Sequence, residues 1–284
     1  MRTMPELEAP RAPRSIPVRR PVFDFTRVAS RHWFGGDPFL THLAHGLSVT
    51  FPEGERFFMD SVRHYEKRIE SPALRQEIAR FLAQEGIHAR AHTAFNEWIG
   101  TLGLDTRSLE RDVEEGLAEA RRRRRPIEQL AMTCALEHFT AMMAELLLEH
   151  DELRELMDPE ARRLWVWHAI EETEHKAVAF DTYVAVGGTY RMRVITMLVT
   201  TCFFTVTAAL HQARLMNQDP DAGGALTRLR GFFRLWVSPG WFRGMIPSYL
   251  DYFRRDFHPW QRQPKVSLDA FRAQMDSAVV KGMA

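Results

Sequence analysis

Cysteine is scarce in this chain of 284 residues, with only Cys134 and Cys202 present. Two cysteines exclude a disulfide scaffold and a cysteine-rich zinc module, and they favour a reducing, cytoplasmic environment. An excess of one charge is also missing, because 38 Lys and Arg residues are balanced by 37 Asp and Glu residues. A general nucleic-acid binder would carry a large basic excess. We therefore expect no nucleic-acid partner.

Long hydrophobic runs are equally lacking. The first 20 residues combine four prolines with five arginines and contain no apolar run, so they predict a disordered arm rather than a secretory signal. The nearest approach to a membrane span is residues 194–210, where 17 positions lack a charge but five are threonine. That stretch is slightly short for a bilayer. It is compatible with a buried helix, a dimer face or a membrane-contacting hairpin.

Alternating strand patterns are absent between residues 55 and 185, where glycine and proline are also sparse. Prolines that follow a capping residue or a charged link mark helix starts. Four such starts are predicted, at Asp37-Pro38, Ser71-Pro72, Pro126 and Asp158-Pro159. We also expect a capping box from Thr50 to Glu53, a charged non-helical link containing Arg121 to Arg125, and a helix end at Gly187-Gly188.

These signals predict an all-α protein, a ferritin-like four-helix bundle with additional C-terminal helices. Its four bundle helices would each run for about 20 to 28 residues within residues 50–187. We divide the chain into a disordered or extended arm (residues 1–37), the helical bundle (38–187) and an apolar, aromatic extension that packs on it (188–284).

Carboxylates and histidines interrupt the apolar stripes of the predicted helices. Two stripes carry Glu-x-x-His, namely Glu85 with His88 and Glu172 with His175, and residues i and i+3 share one helix face. The other two helices each supply one inward glutamate, Glu55 or Glu137. Measured from the inter-helix turns, these residues lie at matching heights, so they can meet in one layer. This is the ligand set of di-metal carboxylate bundles.

Four further residues lie close to this layer. His92 and His168 stand one helical turn from His88 and Glu172, as third nitrogen ligands, outer hydrogen-bond donors or packed core histidines. Glu171 could replace Glu172, although the spacing of Glu172 copies that of Glu85 to His88. His138 is expected to pack or to hydrogen-bond. Glu174 lies off the stripe, and we expect it to be solvated.

Mixed carboxylate and imidazole ligation suits iron or manganese, and zinc is an alternative. The ligand set therefore predicts two metal ions, with iron preferred. Two irons on antiparallel helices suggest oxygen activation, whereas zinc or manganese could generate hydroxide for hydrolysis. The leading expectation is an oxidoreductase that acts on a hydrophobic substrate. A metal-dependent hydrolase is the alternative, and a non-catalytic metal-storage or metal-binding protein is a third.

Five stretches carry a resemblance to a known family: FPEGERFF, QEGIHARAH, ALEHF, WHAIEETEHKAVAFD and YLDYFRRDFHPW. Together they resemble the bacterial family of predicted metal-dependent hydrolases, from about Pro38 to Trp260. The resemblance implies a relationship to ferritin-like bundles and a hydrolytic activity. It places the family's motif residues at the six positions already singled out, Glu55, Glu85, His88, Glu137, Glu172 and His175.

The C-terminal third is rich in aromatic residues and arginines. Ten aromatic residues occur between Gly231 and Trp260, and arginines are interleaved with them. Such mixing suits either a membrane interface or a segment that covers the bundle. We expect a hydrophobic small molecule or a lipid as substrate, with peripheral membrane contact and homodimerisation as further expectations. The location would then be cytoplasmic, with an association to membrane.

Overall fold

The computed structural model describes residues 14–262 and 265–273, and their regular secondary structure is helical, with no β-strand in that part of the chain. The α-helices are α1 Pro38–Ser48, α2 Phe51–Arg63, α3 Pro72–Thr101, α4 Thr106–Arg123, α5 Pro126–Glu149, α6 Asp151–Leu156, α7 Pro159–His175, α8 Val178–Ala185, α9 Tyr190–Gln218, α10 Ala225–Trp236 and α11 Ile246–Asp251. The all-α prediction is confirmed.

All four predicted helix starts are confirmed. Asp37 accepts hydrogen bonds from the backbone N–H groups at the start of α1, and Ser71 and Asp158 do the same for α3 and α7. Proline stands in the first turn of each of these helices and of α5, where its missing N–H costs nothing. These starts are set by local chemistry, which is why the sequence predicts them correctly.

Three local predictions are wrong. Thr50 does not form a capping box with Glu53, because its hydroxyl donates to the Leu47 carbonyl instead. Residues 121–123 belong to α4 and are not a non-helical link, since ion pairs with Glu119 on the same helix stabilise the arginines. The last bundle helix is interrupted between His175 and Val178, so α7 and α8 are separate segments.

Four helical segments surround the centre of the molecule. α2 packs against α3, α5 packs against α7 and α8, and contacts from α2 to α5 and from α3 to α7 close the ring. Along α3, Ile78 and Phe81 belong to one apolar cluster, and Phe95 and Ile99 belong to the other. Between these two apolar clusters lies a buried polar layer that contains Glu85.

Residues 14–37 run in mostly extended conformation over the bundle. Ile16 joins one apolar cluster and Phe25 joins the other. Arg19 is 9% exposed and forms ion pairs with Glu171 and Glu174 of α7. This pairing corrects the expectation that Glu174 is solvated. The predicted disorder of the first 20 residues does not extend to residues 14–20, and residues 1–13 lie outside the described part.

Candidate metal centre

Seven buried carboxylate and imidazole side chains from four helices converge in the polar layer. α2 supplies one, α3 two, α5 one and α7 three. They are Glu55, Glu85, His88, Glu137, His168, Glu172 and His175. The structure thus brings together all six residues that the sequence predicts as ligands, and adds His168.

One group within this layer contains Glu55, His88 and His168, whose ligand atoms all lie within 4.8 Å of one another. Glu172 borders it, because its Oε1 lies 2.9 Å from His168 Nε2 and 3.4 Å from His88 Nδ1. The group offers two imidazole nitrogens and carboxylate oxygens, a donor set that suits a divalent transition metal.

A second group contains Glu85, Glu137 and His175. His175 Nε2 lies 3.0 Å from Glu85 Oε1 and 3.6 Å from Glu137 Oε2. The same nitrogen lies 3.4 Å from Glu172 Oε1, so Glu172 stands between the two groups. Two cations that share Glu172 would satisfy both groups.

The fit to metal ions rests on buried polar atoms that lack hydrogen-bond partners among the described residues. Both carboxylate oxygens of three glutamates, one oxygen of a fourth and two imidazole nitrogens are in this state. They belong to Glu55, Glu85, Glu137, Glu172, His88 and His175. Buried polar groups are normally hydrogen-bonded, and buried charges are normally paired or bound to metal. So many orphaned ligand atoms in one layer fit a metal centre.

His88 is oriented from outside the layer by a carboxylate. Its Nε2 donates to Glu171 Oε2 at 3.0 Å, and Glu171 is in turn paired with Arg19. The other nitrogen, Nδ1, is left facing the centre. Glu171 is therefore an outer partner of His88, which agrees with the preference for Glu172 as the ligand.

His175 is oriented in the same way by an amide. Gln84 donates through Nε2 to the Pro17 carbonyl and to Glu174, so its Oε1 is free to accept from His175 Nδ1 at 2.8 Å. His175 Nε2 then presents its lone pair to the carboxylates.

A longer chain of hydrogen bonds orients His168. Asn96 donates to Glu110, Ser48 Oγ donates to Asn96 Oδ1 at 2.6 Å, and Ser48 Oγ therefore accepts from His92 Nδ1 at 2.9 Å. His92 Nε2 must then accept from His168 Nδ1 at 2.7 Å. His168 Nε2 is left with its lone pair toward Glu172. His168 thus belongs with the ligands, and His92 is its outer partner.

The electrostatics of the layer favour proton or cation binding. Burial and the nearby charge of Glu85 raise the pKa values of Glu55 and Glu137 well above the ordinary glutamate value. Burial alone would lower the pKa of His88, but its contacts with Glu171 and Glu172 prevail and raise it to about 10. The pKa of His175 is also raised, since the charge of Glu172 outweighs burial. Protons thus compensate charge that bound cations would also compensate.

His138 is outside the layer. Its Nε2 donates to the Ser248 carbonyl at 3.0 Å, and burial lowers its pKa to about 4. The expectation that it hydrogen-bonds is confirmed. Sequence reasoning did not predict the roles of Arg19, Ser48 or Gln84, because hydrogen bonds from distant segments carry no periodic signal.

A further His/Asp group contains His32, His42 and Asp219. Both imidazole Nε2 atoms lie close to Asp219 Oδ2, at 2.7 and 2.8 Å, and Arg31 lies 3.4 Å from Oδ1. These contacts hold the pKa of Asp219 at about 2, against the effect of burial. Hydrogen bonds and an arginine fully account for this group.

An apolar cavity of about 120 Å³ borders the metal centre. His168 and Glu172 line it at the polar layer, and Trp241 and Phe242 line it near the C-terminal helices. The remaining lining is almost entirely aliphatic or aromatic, from α1, α5, α7 and α10. An apolar molecule in this cavity would reach the candidate ligands directly.

The fold and the site thus define an all-α protein with a buried carboxylate–histidine cluster suited to metal. The model of the family described as "Predicted metal-dependent hydrolase" matches residues 17–263, and the chain belongs to that family. No curated protein and no solved structure matches the chain. The family description favours the hydrolase alternative over the oxidoreductase that the ligand types suggested.

Proposed function

We propose that the protein is a metal-dependent hydrolase that cleaves a carboxylic ester or amide of an apolar molecule at the centre formed by Glu55, Glu85, His88, Glu137, His168, Glu172 and His175. The observation that carries the proposal is the contact between this centre and the apolar cavity. Membership of the metal-dependent hydrolase family supports the reaction class.

In this proposal, Glu55, His88 and His168 hold one divalent cation, Glu85, Glu137 and His175 hold another, and Glu172 is shared. Bound cations would lower the pKa of water and polarise a carbonyl oxygen. The protein's own contribution is orientation, because Glu171, Gln84 and His92 fix which imidazole nitrogen faces the centre.

The cavity contributes selectivity. Its apolar walls would bind an acyl or other hydrocarbon chain and exclude bulk water from the bond to be cleaved. Trp165 also lines the cavity, and its indole N–H is buried without an acceptor among the described residues. That N–H is suited to donate a hydrogen bond to the carbonyl oxygen of the substrate.

The test combines metal analysis with turnover of p-nitrophenyl esters. Protein purified without chelator should contain close to two transition-metal ions per chain, and kcat/KM should rise from the acetate to the octanoate ester. Glu85→Gln should lose metal and activity together. Glu77→Gln is the matched control, because Glu77 is a buried glutamate of the same helix that pairs with Arg14.

Ester turnover that survives complete metal removal would overturn the proposal. Equal metal content in Glu85→Gln and Glu77→Gln would show that the polar layer is not the metal site. Oxygen consumption by the ferrous protein, without esterase or amidase activity in the zinc or manganese form, would instead favour the oxidoreductase.

A further inference from the structure

Exposed apolar side chains are concentrated on one part of the molecule. Among the described residues, 16 large hydrophobic side chains are exposed, and all but Val22 and Leu156 lie between Ile195 and Leu250. Monomeric soluble proteins rarely expose such a concentration, which marks an interaction site.

α9 supplies the longest stripe of this surface. Its exposed residues recur at helical spacing along one side: Ile195, Leu198, Val199, Phe203, Val206 and Leu210. Phe203 is 70% exposed, whereas Met197 and Leu215 of the same helix are fully buried. One side of α9 thus packs on α1 and α5, and its other side is apolar and uncovered.

α10 and α11 extend the apolar surface. α10 packs on Phe39 of α1 through Gly231 and exposes Leu229, Phe233 and other large side chains. α11 is joined to α9 by the hydroxyls of Tyr249 and Thr201, 3.0 Å apart. We call the exposed hydrophobic residues of α9, α10 and α11 the apolar face.

The charges around this face have one sign. Between residues 188 and 250 the chain has seven arginines but only two acidic residues, Asp219 and Asp221. Arg230 and Arg243 are exposed, and neither has an ion-pair partner within the part of the chain that the structure describes. Aromatic and aliphatic side chains beside unpaired arginines are the composition of a protein surface that lies in the headgroup region of a membrane.

The apolar face also connects to the cavity. Phe232 and Trp236 of α10 contact each other, and Trp236 contacts Phe242, whose ring lines the cavity. The same cavity reaches His168 and Glu172. A hydrocarbon chain could therefore pass from the apolar face toward the metal centre without crossing a polar surface.

We propose that the apolar face docks on the surface of an anionic membrane and admits a lipid or another membrane-dissolved substrate to the cavity. The docking follows from the surface itself, and the delivery of substrate rests on the function proposed above. A second copy of the chain is the weaker occupant. A two-fold dimer would place each apolar face against itself and bring unpaired arginines together without acidic partners.

The helix α9 is long and apolar enough to cross a bilayer, as is the mostly buried α5, and length and composition alone are weak evidence of a span. α9 carries the buried polar residues Arg193, His211 and Gln212 on the side that packs on the protein. Arg193 donates to the Arg254 carbonyl, and Gln212 donates to the Phe39 carbonyl. These bonds fix α9 along the bundle, so we infer docking in the plane of the membrane.

The experiment is flotation with two kinds of vesicle, phosphatidylcholine alone and phosphatidylcholine with 30% phosphatidylglycerol. The wild-type protein should float with both and more strongly with the anionic vesicles. Leu198→Ser/Phe203→Ser should reduce the bound fraction about tenfold on both. Arg230→Gln/Arg243→Gln should remove only the preference for anionic vesicles. Val22→Ser, which changes an exposed valine outside the face, should bind like wild type.

Absence of wild-type flotation with both vesicles, or flotation that the Leu198→Ser/Phe203→Ser variant retains, would overturn the proposal. A dimer in sedimentation analysis that this variant dissociates would assign the face to a second copy instead. Metal content and turnover of a water-soluble short-chain ester, measured on the same preparations, separate failure of docking from failure of the proposed function. Loss of docking should leave both unchanged.

Discussion

At the residue scale, each histidine of the metal centre has one ring nitrogen committed to an outer partner. His88 uses Glu171, His175 uses Gln84, and His168 uses His92. An outer hydrogen bond selects the tautomer and the ring orientation before a ligand arrives. The arrangement makes the ligand geometry depend on residues that never touch the bound ion.

Ser48 is the residue that tests this dependence. Ser48→Ala removes the acceptor of His92 Nδ1, so the tautomer of His168 is no longer fixed. We expect metal affinity to fall by about 10- to 100-fold for one of the two ions. Isothermal titration measures the affinity, and nitrogen NMR of labelled histidine reports the tautomer.

Ser61→Ala is the matched control for Ser48→Ala, because the Ser61 hydroxyl is buried and hydrogen-bonded to Thr133 within the bundle, away from the ligands. It should leave metal affinity and the histidine spectrum unchanged. Unaltered affinity and an unaltered spectrum in Ser48→Ala would contradict the orienting role.

At the element scale, α10 depends on a close approach to α1. A Cβ atom added at Gly231 would lie 2.1 Å from Phe39 Cγ, far inside the contact distance. The absence of a side chain at Gly231 therefore allows α10 to pack against α1 and places its exposed residues beside those of α9. The apolar face depends on this contact.

Gly231→Ala should displace α10 and lower the free energy of unfolding by about 1–3 kcal/mol. Gly116→Ala should have the opposite sign, raising it by about 0.5–1 kcal/mol, because Gly116 lies mid-helix in α4 with open space around it. Urea denaturation gives both values, and hydrogen exchange of α10 detects local detachment. Equal effects in the two variants would contradict the tight α1–α10 contact.

At the scale of the whole molecule, the polar layer links stability, pH and metal. In the metal-free protein the pKa values of Glu55, Glu137, His88 and His175 are raised on folding, so the folded state holds protons that the unfolded chain has released. For such groups, stability is present at low pH and is lost as the pH rises toward the folded-state pKa.

The metal-free protein should therefore lose stability between pH 7 and pH 8.5. His88, with its pKa of about 10, alone contributes roughly 2 kcal/mol over that window. The metal-loaded protein should lose less, because its ligands are already deprotonated. Thermal unfolding of both forms across this range measures the difference, and groups outside the layer cancel in it. Parallel pH profiles would contradict the link between the layer and metal.

The sequence by itself determined the helical class, most helix starts and the six motif ligands. Asp37, Ser71 and Asp158 cap helices through contacts within three residues, and a helix repeat places Glu85 with His88 on one face. Such short-range features are encoded by spacing, so they can be predicted without knowledge of the fold.

Only the tertiary structure decided which residues complete the layer and which sides of the helices are covered. Glu174 lies off the predicted stripe, yet Arg19, 155 residues earlier in the chain, pairs with it in the interior. His168 is distinguished from His92 by hydrogen bonds that pass through Ser48. The stripe on α9 resembles a buried helix in sequence, and only packing shows that it is exposed. Hydrophobicity favours burial of such a stripe but does not specify what will cover it, because that depends on the arrangement of distant helices.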